Sequence, residues 1–133
     1  MAIRFSIEPT LGAQEFREVL VASTLGERRP VTDLARLEKM LRNAQVIVTA
    51  RDGKKLVGVS RAITDYSFCC YLSDLAVDAA YQKQGIGRRL IEETHKAEGL
   101  HTGLFLVSAP AAESYYPAIG LKAYPAFGIP RTD

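Results

Sequence analysis

The hydrophobic residues near the amino terminus follow first the spacing of a strand and then that of a helix. Apolar and polar residues alternate in "IRFSIE", as they do in a half-buried strand. Two segments with helical spacing follow, separated by the loop "LGERRP", and the second is capped by Thr32 or Asp33. The periodic residues are Ala13, Phe16 and Leu20 in the first helix and Leu34, Leu37 and Leu41 in the second. The chain is therefore predicted to begin with a strand and two helices.

Strand-like segments fill the middle of the chain. "QVIVTAR" and "KKLVGVSRAI" are separated by Asp52-Gly53, and a glycine that tolerates positive φ at this point predicts a hairpin. "FCCYLSDLAV" is rich in β-prone residues, and "GLFLVSA" is apolar enough for a strand that is covered on both faces. An amphipathic helix that includes "GRRLIEE" lies between these two strands. This order of elements indicates an α/β domain with a mixed sheet.

The segment "PAAESYYPAIG" is predicted to form a short last helix. Pro110 is tolerated in its first turn, and Gly120 can take the left-handed conformation after its end. Pro117 disfavours helical geometry at Tyr116, so we expect a kink or an early stop there.

The length and composition fit a single globular domain that spans residues 1–133. Of the 133 residues, 47% are hydrophobic and 24% are charged. The net charge of +2 is spread along the chain, so nucleic acid is not an expected partner and any anionic ligand should be small. Adjacent Cys69 and Cys70 point to opposite faces of a strand and are not expected to pair, which suits the cytoplasm. The sequence has no run of about 18 apolar residues, so neither a signal peptide nor a membrane span is predicted.

Two glycines and two arginines stand at the start of the third predicted helix. A helix amino terminus exposes unpaired backbone N–H groups and a partial positive charge, and glycine lets a phosphate approach them. Gly85 to Arg89 is therefore interpreted as a pyrophosphate cradle, with Arg88 and Arg89 at its rim. The alternative is a tight strand-to-helix turn with solvated arginines. No G-x-x-x-x-G-K-[ST] motif occurs, and Leu90 stands where a dinucleotide fingerprint has its third glycine.

The same stretch resembles motif A of the GNAT superfamily of acetyl-CoA-dependent N-acetyltransferases. A strand that ends in Val77 precedes Gln82-Lys83-Gln84-Gly85-Ile86-Gly87, which matches Q/R-x-x-G-x-G/A. "SYYPAIGL" is similar to the later F-Y-x-x-x-G-F element, with Leu121 in place of the final Phe. The resemblance extends from Ile3 to Tyr124.

This resemblance implies one GNAT domain with a mixed sheet of about six to seven strands, splayed between the fourth and fifth, and about four helices. The closing strand of the family is in doubt here, because "PAFGIPRTD" contains two prolines. It is expected to be short, absent or contributed by a partner chain. Since an uncovered sheet edge invites pairing, we predict a homodimer in which the tail of one chain contacts the other.

The resemblance also implies acetyl-CoA as cosubstrate, with no metal. The pantetheine arm would pair like an added strand with the fourth strand, and the pyrophosphate would lie in the cradle. The implied contact residues are Leu75, Ala76, Val77, Gln82, Lys83, Gln84, Gly85, Ile86, Gly87, Arg88 and Arg89. Tyr116 matches the family's tyrosine that protonates the leaving thiolate, and Tyr115 is expected in the core.

Asp74 is the second candidate catalytic residue. By simple alternation along the strand it shares a face with Phe68, Cys70 and Leu72, where an unpaired carboxylate is costly. It is therefore expected either to accept a proton through water or to be turned by a bulge toward a structural partner.

The expected acceptor is a primary amine on a small molecule or a peptide. The segments that build the acceptor site in the family offer Arg28, Arg29, Tyr66 and Phe68 here. More weakly, "SRAITDYSF" resembles small plastid and bacterial members, some of which acetylate arylalkylamines such as serotonin. Two alternatives stay open, a catalytically silent acyl-CoA-binding module and a toxin-like acetyltransferase of aminoacyl-tRNA. The absence of a concentrated basic face disfavours the second.

Overall fold

The computed structural model of the chain describes residues 2–132, which form five strands and four α-helices. The strands are β1 (Ile3–Ile7), β2 (Val46–Asp52), β3 (Lys55–Thr64), β4 (Cys69–Val77) and β5 (Gly103–Phe105). The helices are α1 (Ala13–Ala22), α2 (Leu34–Arg42), α3 (Ile86–Glu98) and α4 (Tyr115–Ala118). Short 3-10 turns lie at Leu25–Arg28, Ala79–Tyr81 and Pro110–Ala112. Within the described residues, none of the helices is long and apolar enough to cross a bilayer.

The strands form one mixed sheet in the order β1-β2-β3-β4-β5. Strands β1 to β4 pair antiparallel, and β5 joins β4 in parallel. The parallel pairing extends only from Cys69↔Gly103 to Tyr71↔Phe105. Beyond Tyr71, the rest of β4 therefore has no strand on its β5 side in the part of the chain that the structure describes. The open edge of β4 lies where a splay between the fourth and fifth strands was predicted.

The prediction of six to seven strands is not confirmed, because residues 2–132 contain five. Residues 121–132 have no regular secondary structure. Pro125 and Pro130 lack the N–H group that a sheet ladder requires. Phe127 and Ile129 in the same segment are 95% and 97% exposed. The segment expected to supply the closing strand therefore does not pair with β5 of its own chain.

Local sequence signals account for most element boundaries. Asp33 caps α2, because its carboxylate accepts a hydrogen bond from the amide three residues later at 3.0 Å. Gly53 has a φ of 61° in the hairpin between β2 and β3. The predicted last helix is split into the turn at Pro110–Ala112 and the single turn of α4, since Pro117 has no N–H to bond to the preceding turn. The break lies at residues 113–114 and Tyr116 is helical, so the stop expected at Tyr116 itself is wrong. Gly120 follows with a φ of 98°, as predicted.

Each face of the sheet is covered by helices. Helices α1 and α2 cover one face and bury Phe16, Leu20, Leu37 and Leu41 against it. Leu34 is 38% exposed, so the apolar stripe predicted for α2 is narrower than its spacing suggested. Helix α3 covers the other face and packs close to β3. A Cβ on Gly58 would lie 3.1 Å from Leu90 and 3.2 Å from Ile86, so this packing requires glycine.

A bulge interrupts the pairing of β4 with β3. Arg61 pairs with Asp74, whereas the next residue of β3, Ala62, pairs with Leu72. Ser73 is therefore the additional residue on β4. An additional residue reverses the alternation of side chains between the two faces of a sheet.

The bulge decides the face on which Asp74 lies. Before it, Cys70 packs in the cluster beneath α3. After it, Ala76 packs in the cluster beneath α1 and α2, and Asp74, two residues earlier, lies on that same face. The prediction that Asp74 shares a face with Cys70 and Leu72 is therefore wrong, and the bulge raised as the alternative is present.

One buried carboxyl group of α3 lacks a hydrogen-bond partner. Glu98 is 2% exposed, and neither of its carboxyl oxygens has a partner among residues 2–132. Burial raises the pKa of Glu98, which the neighbouring Cys70 and His95 lower only in part. Burial also raises the pKa of the Cys70 thiol above its usual range. The site therefore favours the protonated form of Glu98.

We expect Glu98 to make the folded protein less stable as the pH rises. Its folded pKa lies above the unfolded value of 4.5, so its stabilisation is complete below 4.5 and lost as the pH rises through the folded pKa. Glu98→Gln removes that loss. Above about pH 5, the free energy of unfolding of this variant relative to wild type should rise with pH in urea titrations. The exposed Glu92 provides the control, and a Glu92→Gln variant with the same pH dependence as Glu98→Gln would contradict the prediction.

Candidate functional site

The turn between β4 and α3 leaves a helix amino terminus open. Gly85 is the N-cap of α3 with a φ of 83°, and a Cβ there would meet no atom within 4 Å. No side chain caps this terminus. Lys83, two residues earlier, also has a positive φ of 65°, which is uncommon for a residue with a side chain. Open space beside the amides of a helix's first turn is what an anion site at a helix terminus requires.

Hydrogen bonds anchor this turn to the sheet. Gln82 donates from Nε2 to the carbonyl of Val77, the last residue of β4, at 3.0 Å. Tyr81 donates its hydroxyl to Asp52 at the end of β2 at 2.8 Å, and this bond raises the pKa of Tyr81. Asp78 accepts from the Ala80 amide at 2.9 Å. The turn is thus held to β4 and β2 before α3 begins.

The two arginines of the predicted cradle differ in their surroundings. Arg88 is exposed. Arg89 donates from Nε to Glu93 at 2.8 Å, and its guanidinium lies 4.7 Å from the centre of the Phe5 ring on β1. Arg89 therefore contacts Glu93 and Phe5 along the side of α3, and its charge does not lie at the rim of the predicted cradle.

Tyr115 and Tyr116 lie together on α4. Their ring centres are 5.2 Å apart, and the rings meet edge to face at 71°. The Tyr115 hydroxyl lies 3.0 Å from the point where a Cβ on Gly87 would stand, in the first turn of α3. The prediction that Tyr115 is a core residue is wrong, because its side chain is 38% exposed on the single turn of α4.

Both phenols have raised pKa values. Burial raises the pKa of Tyr116, and the neighbouring Tyr115 adds to the effect. Burial also raises the pKa of Tyr115, whereas a hydrogen bond with the backbone of Arg88 opposes it. Each phenol therefore holds its proton at neutral pH and can donate it.

The three β4 residues predicted to contact pantetheine lie along the open edge. Their side chains are packed, because Leu75 and Val77 contact the cluster beneath α3 and Ala76 is buried beneath α1 and α2. Their β3 side is paired, up to Val77 with Gly58. The β5 side of their backbone has no strand within residues 2–132, so it can accept an added one.

Asp74 is fully buried between two arginines. Arg29 donates from Nε to one carboxylate oxygen, and Arg61 donates from Nε to the other. Arg29 also donates to the carbonyl of Ser73 at 2.7 Å, and Arg61 donates to the Ser73 hydroxyl at 3.0 Å. A further bond joins Arg61 to the carbonyl of Met40 on α2 at 3.3 Å. Asp74 thus has structural partners, which is one of the two alternatives that the sequence left open.

The residues predicted for the acceptor side do not form one cluster of contacting side chains. Tyr66 is 50% exposed and bonds the carbonyl of Gln45 at 3.3 Å, whereas Phe68 is 79% exposed. Of these residues, Arg29 is the one that hydrogen-bonds to β4. Sequence reasoning missed Arg61, whose polar side chain in the apolar run "LVGVSRAI" was the available signal. No group of three or more His, Cys, Asp or Glu side chains in the described residues could hold a metal ion.

Comparison with known proteins connects this arrangement to one family. A family model described as an acetyltransferase (GNAT) domain matches residues 13–125. The soybean (Glycine max) "Histone acetyltransferase TAP1" is 32% identical over 77 residues, which is 50% of this chain and 32% of that protein. This chain therefore spans about a third of the length of that relative.

Two solved structures show the same fold. The GNAT family acetyltransferase SP0256 of Streptococcus pneumoniae has a TM-score of 0.74 at 23% identity, covering 98% of this chain and 100% of its own. The aminoglycoside N-acetyltransferase AAC(6')-Iy in complex with CoA also has a TM-score of 0.74, at 14% identity, covering 98% and 95%.

Proposed function

This chain belongs to the GNAT acetyltransferase family, and from that membership we propose that it transfers the acetyl group of acetyl-CoA to a primary amine. The amine nitrogen attacks the thioester carbonyl carbon directly. A C–N bond forms, the C–S bond breaks, and the electron pair stays on sulfur. From a protonated amine, the products are the acetamide, the CoA thiol and one proton released to water.

The observation that carries this proposal is that an open helix terminus and an open strand edge meet at one corner. The amino end of α3 at Gly85 offers backbone donors to a pyrophosphate. The edge of β4 from Leu75 to Val77 offers a backbone ladder to the amides of a pantetheine arm. Gln82 links the two, because it bonds Val77 and lies in the turn before α3. A linear ligand with a phosphate end and an amide arm suits this corner.

The reaction has three further requirements. The amine must lose its proton, because an alkylamine with a pKa of about 10.4 is mostly protonated at neutral pH. The tetrahedral oxyanion needs a main-chain donor, which we assign to β4 beside its bulge. The departing thiolate needs a proton, which we assign to Tyr116. Asp74, whose oxygens are occupied by Arg29 and Arg61, enters this proposal as a positioning residue.

The acceptor is proposed to be a primary amine of a small molecule or a peptide. The name of the soybean relative specifies a histone, and the name of AAC(6')-Iy specifies an aminoglycoside. Both kinds of acceptor carry amines. The experiment is release of CoA thiol from acetyl-CoA with a panel of monoamines, polyamines, aminoglycosides, lysine peptides and charged tRNA. Turnover with an amine supports the proposal, whereas tight acetyl-CoA binding without turnover on any acceptor would support the silent binding module.

We expect CoA and acetyl-CoA to raise the melting temperature, because a ligand that binds only the folded state stabilises it. At about 100 times Kd the gain is about 2.7 kcal/mol. Gly87→Val should abolish the shift, since its side chain would occupy the first turn of α3 against the Tyr115 hydroxyl. Gly12→Val, where a Cβ meets no atom within 4 Å, is the matched control and should keep the shift. No shift in wild type at millimolar acetyl-CoA would refute the proposed cofactor.

We also propose that the chain forms a homodimer in which the tail of one chain contacts the other. The tail exposes Phe127 and Ile129, and β5 forms an edge of the sheet with Phe105 45% exposed. Light scattering at high micromolar concentration should give the dimer mass. Phe127→Ser with Ile129→Ser should shift the population toward monomer. A monomeric wild type under these conditions would contradict the dimer.

Tyr116→Phe should reduce kcat while leaving the affinity for acetyl-CoA nearly unchanged. The substitution removes the phenolic proton and keeps the ring, and general acid catalysis contributes about 10²–10⁴-fold. Steady-state kinetics with a good amine measures kcat, and the melting-temperature shift checks acetyl-CoA binding. Tyr115→Phe is the matched comparison, because its hydroxyl lies by Gly87 on the adjacent residue. If Tyr115→Phe loses kcat and Tyr116→Phe keeps it, the acid is Tyr115.

A further inference from the structure

The cluster of Arg29, Asp74 and Arg61 carries a surplus of positive charge beside the open edge of β4. Resting on the function proposed above, we propose that this surplus keeps the bound acceptor amine neutral and selects against polycationic acceptors. The cluster combines two guanidinium groups with one carboxylate, which leaves a net charge of +1. It would thereby supply the nucleophilic form of the amine without a dedicated base.

The cluster lies where the acyl group would be held. Pairing of β4 with β5 stops at Tyr71, and Ser73, two residues later, is the bulge residue. Arg29 donates to the Ser73 carbonyl at 2.7 Å, and Arg61 donates to the Ser73 hydroxyl at 3.0 Å. Both arginines therefore contact the first part of the open edge. The cluster faces α1 and α2, the side from which the acceptor would approach if the cofactor occupies the edge.

The charges of the cluster are shielded from water. The side chains of Asp74, Arg61 and Arg29 are 0%, 8% and 23% exposed. Ion pairs formed by residues 2–132 give neither arginine a carboxylate other than Asp74. Buried charge is screened less than surface charge, so the surplus acts over several ångströms.

The other charged residues on the adjoining segments do not neutralise the cluster. Glu27 and Arg28 on the 3-10 turn are exposed and opposite in sign, as are Asp33 and Arg36 at the start of α2. Later in α2 the half-exposed Glu38 pairs with Arg42 at 2.9 Å. On α1, Glu15 pairs with Arg51 at 2.8 Å, and Arg17 and Glu18 are opposite in sign. Lys39 adds an exposed positive charge beside Met40. The sign of the local field thus remains that of Arg29 and Arg61.

A positive field at the acceptor site disfavours a second positive charge on the acceptor. An ammonium group bound there releases its proton to water more readily than in solution, which yields the neutral nucleophile. Asp74 cannot substitute as an efficient base, because each of its oxygens accepts from a guanidinium. A diamine brings a second ammonium group into the same field and binds less well than a monoamine of equal length.

A purely structural cluster would behave differently. The same contacts tie the 3-10 turn and α2 to β4, so loss of Arg29 would also lower stability. Lower stability does not change the pH at which a bound amine loses its proton. The pH dependence of kcat, which reports ionisations in the substrate complex, therefore separates the two roles.

The decisive variant is Arg29→Gln, which reduces the net charge of the cluster to zero. With saturating acetyl-CoA and monoamine, the acidic limb of its pH profile of kcat should move to higher pH by about one unit. That is the shift expected when one charge at roughly 8 Å from the amine is removed in an effective dielectric of about 30. Arg29→Lys keeps the charge and should keep the wild-type limb. Lys39→Gln, an equal change of charge at an exposed site, should also leave the limb in place. An unmoved limb in Arg29→Gln, or an equal shift in Arg29→Lys, would overturn the proposal.

A second measurement needs no variant. Wild type should show at least about tenfold higher kcat/KM for hexylamine than for 1,6-diaminohexane at equal pH, because one repelled charge at this range changes binding by about that factor. Equal or preferred use of the diamine would overturn the proposal even if Arg29→Gln does not fold. Failure of wild type to acetylate any amine refutes the proposed function itself, and is thus distinguishable from failure of this inference.

Discussion

The bulge at Ser73 is the constraint on which the arrangement of the site depends. One additional residue in β4 reverses the alternation of side chains, so that Asp74 faces α1 and α2. The same reversal packs Leu75 and Val77 beneath α3. Without the bulge, the Asp74 carboxylate would enter the apolar layer with Cys70, away from both arginines and at a high desolvation cost. The charged cluster is therefore a consequence of one irregularity, and it lies beside the edge that β5 leaves open after Tyr71.

Stability alone gives a weak reason for burying three ions at this position. Desolvation of buried charges offsets much of their mutual attraction, and well-packed apolar residues often stabilise as much. The cluster does give directed contacts, since Arg29 and Arg61 both bond the bulge residue Ser73. It fixes the conformation of a backbone segment that has a strand neighbour on its β3 side and none on its β5 side within residues 2–132. The proposed role in the geometry and the field of the site would account for such a cluster better than its net contribution to folding does.

The parts of the fold that could be predicted are those with local causes. Asp52-Gly53 specified a hairpin through the φ of one glycine, and Asp33 specified the start of α2 through one side-chain cap. The bulge could not be located in this way, because strand pairing depends on residues of another strand. The exposure of Tyr115 was missed for a related reason, since a pair of adjacent tyrosines does not reveal which of them faces a neighbouring helix. Alternation assigned Asp74 to the wrong face until the register with β3 was known.

The two halves of the candidate site differ in how far a sequence can reveal them. The proposed cofactor half would use main-chain groups, and main-chain access is encoded locally by glycines such as Gly85 and Gly87. The proposed acceptor half would use side chains brought together by the fold, and Asp74 lies 45 residues from Arg29 and 13 from Arg61. No short motif can record such a spacing. Under the proposed function, the cofactor site can therefore be predicted from a short motif, whereas the choice of acceptor would be set by residues that only the three-dimensional structure brings into contact.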